Sequence, residues 1–350
     1  MHEAGRPETQ AGPSARDLTG PGVAAAWDLL LALARRAQRG DPLAVRTVFS
    51  LQRGGCYEPT PSAPDGAAEL RGAWCPGDAS PTRTVLCIDP EGPSVLAPTA
   101  DLPSGADETR TSRDAHTLLE LMLPLVVGRR ARSLVVGHLG QSLDGRVATP
   151  TGASKFITGR EDIVHTHRLR ALFDAVIVGV RTVQLDDPQL TTRLVSGPHP
   201  TRVVLDPQGK LRAGFKVLDD GASPTLICTS LACAPAPRRV GQVWWLGLPC
   251  PDGRFELGQL RQLLAARGLS RLFVEGGGVT VSGFLAARAL DRLHVSVAPL
   301  ILGSGAPAFK LPEIDQLEEA LSLRCRHFAL GRDLLFDCEL SPALPDLEAE

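Results

Sequence analysis

Beyond residue 131, short apolar runs alternate with amphipathic segments. Apolar runs predict buried strands at 134–139, 175–180, 202–206, 225–228, 243–246 and 271–274. Amphipathic segments ending near residue 172 and spanning 256–267 predict helices between some of them. Thr158 and Glu161 have the spacing of a capping box, which predicts that the first of these helices begins there. This alternation is typical of a mainly parallel sheet covered by helices on both faces.

The pattern changes near the C-terminus. Leu293, Val295 and Val297 alternate with polar neighbours, as expected of a half-buried strand. The segments 321–328 and 334–340 alternate in the same way around the turn residues 331–333. They predict a terminal antiparallel hairpin.

The first 130 residues have a different composition and a different pattern of predicted elements. Alanine and leucine predict a helix over 23–38, and a second helix is predicted over 112–123. Proline, glycine and serine predict loop over 54–81, and 84–88 with 94–97 predict a hairpin. The predicted division is a disordered tail (1–22), a small α+β segment (23–130), a main domain (131–342) and a flexible tail (343–350). The first helix is expected to pack on a small core of its own segment or on a dimer partner.

Composition narrows the function classes. The chain has 350 residues, 43% of them hydrophobic, and 37 basic against 39 acidic side chains give a net charge of -2. That balance provides no general attraction for nucleic acid or anionic membranes, so any anion site must be local. We expect no membrane partner and a cytoplasmic location, because the sequence has neither an 18-residue apolar stretch nor an apolar export core. The eight cysteines lack the spacing of a zinc site, so we expect reduced thiols and no metal.

The most informative segment is RLFVEGGGVTVSG at 271–283. It reads as a strand, an acid, three glycines and the start of a helix. Glycines allow the backbone to approach a diphosphate closely, and a helix N-terminus attracts an anion. The segment predicts a nucleotide cofactor site, although a plain turn would use the same residues.

Three further segments carry candidate chemistry. SLDGR at 142–146 follows the first strand of the main domain, where ligands gather at the carboxyl edge of a parallel sheet. SKFITG places Ser154, Lys155 and Thr158 just before a helix. VIVGVRTVQLDDPQLTTR at 176–193 offers clearance at Gly179, a hydroxyl at Thr182 and a phosphate-binding fork at Arg193. For His165 and His167 the structural interpretation is favoured, because no partner ligand is suitably spaced.

Together, in this order, these segments resemble the reductase domain of the bifunctional riboflavin-biosynthesis deaminase-reductase over about 133–340. The resemblance also rests on HRLRA, RVVLDP and VAPLILG. It implies an α/β, three-layer dihydrofolate-reductase-like fold with a mostly parallel central sheet and a C-terminal antiparallel hairpin. It implies NADPH-dependent reduction of the ribosyl group of 5-amino-6-(5-phosphoribosylamino)uracil to ribityl, a small phosphorylated substrate, and a homodimer.

The resemblance also assigns residues. Substrate contacts fall to Ser154, Arg170, Leu190, Arg193 and Glu275, to which the local pattern adds Lys155. Cofactor contacts fall to Gly140, Phe156, Thr182, Asp186 and the loop 277–283 with Gly277, Gly278, Val279 and Thr280, to which the pattern adds Thr158, Gly179 and Gly276. Asp186 and Glu275 are the candidate catalytic proton donors. A cis peptide between Gly276 and Gly277 is a further implication.

Some residues depart from the family pattern. Residues 1–130 contain neither His-x-Glu nor Pro-Cys-x-x-Cys, so we expect no zinc deaminase activity. Phe156 replaces a usual tryptophan, and Pro207 stands where a hydroxyl residue would help to grip a 2′-phosphate. Lys210, Arg202 or Arg212 are candidate replacements, so the choice of NADPH over NADH rests on the resemblance.

Two other functions stay open. A pterin reductase would use the same fold and cofactor, because function depends on the site rather than the fold. A catalytically silent nucleotide-binding module is the alternative from another class. Arg170 and Arg193 favour a phosphorylated substrate over a pterin, and the intact motifs favour an enzyme over a silent module.

Overall fold

The computed structural model describes residues 21–39, 47–51, 57–61, 68–72, 84–89, 92–95, 106–127 and 133–340. The predicted tails lie outside these residues, except that Pro21 and Gly22 begin the first helix. The helices are α1 (Pro21–Arg39), α2 (Ala106–Val126), α3 (Arg160–Leu172), α4 (Val180–Asp186), α5 (Lys216–Asp219), α6 (Leu257–Ala265) and α7 (Gly278–Ala286). None of these helices is long and apolar enough to cross a membrane.

The strands form one large sheet and two smaller ones. The early strands are β1 (Thr47–Leu51), β2 (Tyr57–Pro61), β3 (Ala68–Gly72), β4 (Thr84–Asp89) and β5 (Gly92–Val95). The later strands are β6 (Leu134–Ser142), β7 (Arg146–Ala148), β8 (Ala175–Gly179), β9 (Thr201–Leu205), β10 (Thr225–Ser230), β11 (Arg238–Val240), β12 (Val243–Leu248), β13 (Arg271–Glu275), β14 (Arg292–Ala298), β15 (Ala306–Pro307), β16 (Arg324–Leu330) and β17 (Asp333–Glu339). Short 3₁₀ turns cover Pro251–Gly253 and Leu317–Glu319.

The large sheet has ten strands in the order β11-β12-β10-β9-β8-β13-β6-β14-β17-β16. All six strands predicted in the main domain are present, and they pair in parallel from β12 across to β6. Strand β14 continues the parallel set, and β17 and β16 close the sheet as the predicted antiparallel hairpin. The fold-class prediction is therefore confirmed.

Helices cover both faces of this sheet, because alternate strand residues point to opposite faces. On one face, Val136 and Phe273 belong to the same apolar cluster as Leu169 of α3. On the other face, Val135 and Leu272 pack with side chains of α6 and α7. The result is the expected three-layer arrangement.

Helices α1 and α2 lie in the first of these layers. Their buried side chains, including Leu30 and Leu118, belong to the cluster that contains Val136 and Phe273 of the large sheet. Helix α1 packs on α2 of its own segment, as predicted, but the cluster they share continues into the large sheet, so this core is not a separate one. Packing on a dimer partner stays a prediction. A sequence pattern shows which face of a helix is apolar but not which surface will cover it.

The five early strands form a sheet of their own in the order β2-β3-β1-β4-β5. Strands β4 and β5 confirm the predicted hairpin. Strands β2 and β3 fall in the stretch predicted as loop, so that prediction was wrong. Pro59 and Pro61 lie in β2 at the sheet's edge, where prolines are tolerated because only one side of the strand pairs.

The predicted capping box is absent. Helix α3 begins at Arg160 with Gly159 as its N-cap and no side-chain cap hydrogen bond. Instead, the Gly159 N–H donates to the Asp333 carboxylate of the terminal hairpin at 2.5 Å. A contact with a residue 174 positions away replaces the local cap, which the sequence spacing could not reveal.

Candidate active site

A cavity of about 2070 Å³ opens at the carboxyl edge of the large sheet. The ends of three neighbouring strands reach it, through Gly140 of β6, Gly179 of β8 and Glu275 of β13. Single-ligand pockets rarely exceed about 1,000 Å³, so this cavity has room for two ligands side by side. Its position is the one at which ligands bind in parallel sheets.

The N-terminus of α7 forms one wall of the cavity. Gly277 is the N-cap, and a Cβ added there would meet no atom within 4 Å. By contrast, a Cβ on Gly278 would collide with the backbone carbonyl oxygens of Ala308 and Pro307. Gly278 therefore permits close packing, whereas Gly277 keeps the backbone open towards the cavity. The free N–H groups at this helix end suit an anion.

Glu275, the residue before the glycine run, forms an ion pair with Arg170 of α3. Arg170 donates from Nε to Glu275 Oε2 at 2.8 Å and from Nη2 to Glu275 Oε1 at 2.6 Å. Its Nη1 donates to the Thr191 carbonyl at 3.1 Å. Arg170 is buried, so the bidentate geometry fixes both side chains. The pair joins α3 to the end of β13.

Arg193 brings a second guanidinium to the cavity on the loop that follows α4. Its Nη1 donates to Thr191 Oγ1 at 2.7 Å, and its backbone N–H donates to His167 Nδ1 at 2.9 Å. Burial, with Arg170 and Arg193 nearby, lowers the pKa of His167 to about 4. His167 is thus neutral near pH 7 and can act as the acceptor that holds Arg193 in place.

A buried polar cluster that sequence reasoning missed lies beside the Arg170–Glu275 pair. His138 Nε2 lies 2.9 Å from Asp162 Oδ1, and the Ser296 hydroxyl donates to the same oxygen. His138 pairs in register with Glu275 on the neighbouring strand, and both His138 and Asp162 line the cavity. Burial opposes a charge on His138, but the Asp162 carboxylate outweighs burial, and the pKa of His138 is raised. A histidine inside an apolar strand gives no sequence signal of such a partner.

A second histidine pair lies behind the first. His165 Nε2 is 2.9 Å from His294 Nδ1, and the His294 ring lies 3.3 Å from Asp337. Burial lowers the pKa of both imidazoles, so both are neutral at pH 7. Neither ring lines the cavity, which agrees with the structural role predicted for His165.

Asp144 of the SLDGR segment orders a neighbouring loop. Its carboxylate accepts hydrogen bonds from the Ser142 hydroxyl and from the backbone N–H groups of Leu302 and Gly303. These bonds, led by that of Ser142, lower its pKa to about 2. Asp144 therefore has a structural role, because it ties the backbone at Leu302 and Gly303 to the turn that follows β6.

Most of the predicted site residues meet in the cavity. Those that line it are Gly140, Ser154, Phe156, Thr158, Arg170, Gly179, Thr182, Asp186, Arg193, Glu275, Gly276, Gly277, Gly278, Val279 and Thr280. Lys155 and Leu190 do not line it. Leu190 has a positive φ of 56° that turns its side chain into the core, where it is 1% exposed. Lys155 is exposed on the surface beside Ser154.

The implied cis peptide is absent, and that expectation was wrong: the described backbone contains no cis bond, so Gly276 and Gly277 are joined in trans. The trans form is the lower in energy for any bond not preceding proline. The described residues also contain no cluster of His, Cys, Asp or Glu suited to a metal ion.

Charge is concentrated locally. Six Arg or Lys side chains and four Asp or Glu side chains line the cavity, in a protein whose net charge is -2. Arg202, a candidate for gripping a 2′-phosphate, is instead buried and paired with Asp220 at 2.7 Å. Arg181 and Arg254 are exposed and line the cavity, so they are free to meet an anionic ligand there.

Comparison with known proteins identifies the family. Residues 133–336, more than half of the chain, match the RibD C-terminal domain. The chain belongs to the RibD C-terminal domain family. The match spans β6 to β17 and leaves α1, α2 and the five-stranded sheet outside it.

Some relatives consist almost entirely of the matched region, and others are about twice as long. A 2,5-diamino-6-ribosylamino-4(3H)-pyrimidinone 5′-phosphate reductase of Methanothermobacter thermautotrophicus is 37% identical over 215 residues, which cover 59% of this chain and 97% of that protein. The RibD protein of Aquifex aeolicus is 37% identical over 198 residues, covering 56% of this chain and 54% of its own. The chain thus spans about half the length of that RibD relative.

A solved structure gives the same result for the fold. The diaminohydroxyphosphoribosylaminopyrimidine deaminase/5-amino-6-(5-phosphoribosylamino)uracil reductase of Thermotoga maritima is 25% identical with a TM-score of 0.52. The alignment covers 66% of this chain and 62% of that one. The α/β fold, with its mostly parallel sheet and terminal antiparallel hairpin, is thus similar to that of this reductase.

Proposed function

We propose that this protein uses NADPH to reduce the ribosyl group of a phosphorylated ribosylaminopyrimidine to ribityl. The observation that carries the proposal is one cavity that joins the N-terminus of α7 to the Arg170–Glu275 pair and to Arg193. An anion-binding helix end and the exposed guanidinium group of Arg193 in one cavity match a dinucleotide and a sugar phosphate.

The cavity residues fit a nicotinamide dinucleotide. The open backbone at Gly277 and the helix end behind it would hold the diphosphate, and Phe156 at the rim would offer a stacking face. Arg181 and Arg254 would meet a 2′-phosphate, which favours NADPH over NADH. The cofactor supplies the hydride, and the protein supplies binding and orientation.

The guanidinium groups define the substrate side. Arg193 offers the exposed fork for the sugar phosphate. Arg170 is engaged with Glu275, which balances its charge, so Arg170 shapes this side of the cavity. Ser154 also lines the cavity. Because both oxygens of Glu275 already accept from Arg170, Glu275 is better placed to orient the substrate than to give up a proton.

The reaction also needs a proton. The ribosylamine opens to an imine, hydride adds to the sugar C1, and a proton must reach the imine nitrogen. We propose His138 as the donor, since it lies in the cavity wall and the Asp162 carboxylate holds its ring and raises its pKa, which favours the protonated imidazole. Asp186, which also lines the cavity, stays the second candidate.

The pyrimidine itself has two candidates. The family resemblance favours 5-amino-6-(5-phosphoribosylamino)uracil. The relative matched over 97% of its length is named for the 2,5-diaminopyrimidinone phosphate, which favours that compound. The two differ at one ring substituent, an oxo or an amino group, so both are tested together.

The test is NADPH oxidation with each pyrimidine phosphate and with a dihydropterin. We expect turnover with a ribosylaminopyrimidine phosphate and none with the pterin, because only the former has a phosphate for Arg193. Turnover of the pterin alone would contradict the proposal. NADPH binding detected by calorimetry without turnover of any of these compounds would instead favour the catalytically silent nucleotide-binding module.

We also propose a homodimer in the cytoplasm and no deaminase activity. The family resemblance supports the homodimer, and the composition supports the cytoplasmic location. The absence of deaminase activity is supported by residues 1–130, whose sequence lacks the zinc-binding motif. Sedimentation equilibrium tests the homodimer, and an assay with the diaminopyrimidine tests for deaminase activity.

A further inference from the structure

The loop of residues 187–200 connects α4 to β9 and carries Arg193. The cavity side of this loop is fixed by α3, through the bond from Arg193 N–H to His167 and the bond from Arg170 to the Thr191 carbonyl. Its far side, residues 194–199, is largely exposed and lacks such bonds to α3 among the described contacts. Another element must therefore fix that side.

Helix α1 provides the missing support. Trp27 is 4% exposed, and its indole Nε1 donates to the Ser196 carbonyl at 2.9 Å. A Cβ added at Gly197 would lie 2.7 Å from Ala171 and 3.4 Å from Leu31, so the loop is packed between α3 and α1. The Arg168 guanidinium lies 5.8 Å from the centre of the Trp27 ring. Trp27 thus touches both the loop and the helix that carries Arg170.

The other end of α1 is fixed independently. Gln38 Nε2 donates to Asp174 Oδ1 at 3.0 Å, and Asp174 Oδ2 accepts from the backbone N–H groups of Ser270 and Arg271 at the start of β13. Helix α1 is therefore attached to the sheet at one end and to the 187–200 loop at the other. Because the sheet holds one end of α1, the other end can hold the loop in a fixed position.

We propose that α1 is part of the phosphate-binding site, and that Trp27 is a positioning residue that holds the 187–200 loop so that Arg193 faces the cavity. The inference rests on the proposed role of Arg193 as a phosphate ligand. It gives a function to a segment outside the matched family region, and it means that residues 133–336 alone form an incomplete site.

The test uses the full chain with Trp27→Phe, which keeps an aromatic ring but removes the indole donor. Trp244→Phe is the matched control, because Trp244 lies on β12 away from the cavity. Calorimetry measures the Kd for ribose 5-phosphate and for NADPH, and the melting temperature reports folding. Losing one hydrogen bond should raise the Kd for ribose 5-phosphate about three- to tenfold and leave the Kd for NADPH unchanged.

A double-mutant cycle separates positioning from general destabilisation. In the Arg193→Gln background, Trp27→Phe should have no further effect on ribose 5-phosphate binding, because its effect passes through Arg193. An unchanged Kd in Trp27→Phe, an equal loss in both backgrounds, or an equal loss of NADPH binding would each overturn the inference. If Arg193→Gln alone leaves ribose 5-phosphate binding intact, the proposed phosphate site itself fails, which is a different result.

Discussion

Arg170 and Glu275 hold each other through two parallel hydrogen bonds of 2.8 and 2.6 Å across the floor of the cavity. The third donor of Arg170 reaches the Thr191 carbonyl. One buried guanidinium therefore connects a helix, a strand end and the loop that bears Arg193. The geometry of the substrate side depends on this pair.

Replacing Glu275 by Gln should weaken both folding and turnover. The amide keeps one acceptor but removes the charge opposite Arg170, whose side chain is only 8% exposed. We expect the free energy of unfolding to fall by about 2–4 kcal/mol and kcat/KM to fall at least about tenfold. Urea unfolding and steady-state kinetics measure the two effects. Glu256→Gln, an exposed acid of the same cavity, is the control and should change neither by much.

The two neighbouring glycines of α7 should respond differently to alanine. Gly278→Ala forces a methyl group against the carbonyl oxygens of Ala308 and Pro307, so we expect about 1–3 kcal/mol of lost stability. Gly277→Ala adds a methyl group in open space at an ordinary φ of -66°. It should leave the melting temperature unchanged and weaken NADPH binding, because that space faces the cavity. Equal melting temperatures for the two variants would contradict this packing.

Arg193→Gln should raise KM for the phosphorylated substrate by about 10- to 100-fold, the cost of a charge-assisted hydrogen bond to phosphate. Lys155→Gln removes a charge from an exposed side chain outside the cavity and serves as the comparison. We expect its KM to match that of the unmodified protein. If both variants show the same change in KM, general electrostatic attraction explains the effect and the assigned phosphate contact is wrong.

The His138–Asp162 pair should make stability depend on pH. Since the pKa of His138 is raised in the folded state, the pair contributes fully below the ordinary histidine value of about 6.5 and loses its contribution as pH rises through the raised pKa. The difference in unfolding free energy between the unmodified protein and His138→Gln should therefore shrink as pH rises from about 6.5 through the raised pKa of His138. Urea titrations across that range measure it. If His138 is the proton donor, kcat should fall over the same rise in pH, and a flat kcat profile would exclude that role.

The main-domain strands could be predicted because each is a short apolar run bounded by polar residues. The glycine run could be predicted because its residues are consecutive. What the sequence could not show are contacts between distant positions, such as Asp333 capping α3 or Asp162 reaching His138. Leu190 illustrates the same limit, since only its positive φ reveals that its side chain enters the core. Whether the predicted site residues bind as assigned stays a prediction for the experiments above.

The ten-stranded sheet ends in two edge strands, β11 and β16, and no other strand among the described residues pairs with their outer sides. Such borders invite pairing with other chains and growth into aggregates. Both edges carry arginines: Arg238 and Arg239, stacked over tryptophan rings, on β11, and the exposed Arg324 on β16. Like charges brought together by a joining strand would repel, so the protein should stay dispersed when concentrated at low salt and become prone to precipitation when salt screens these guanidinium groups.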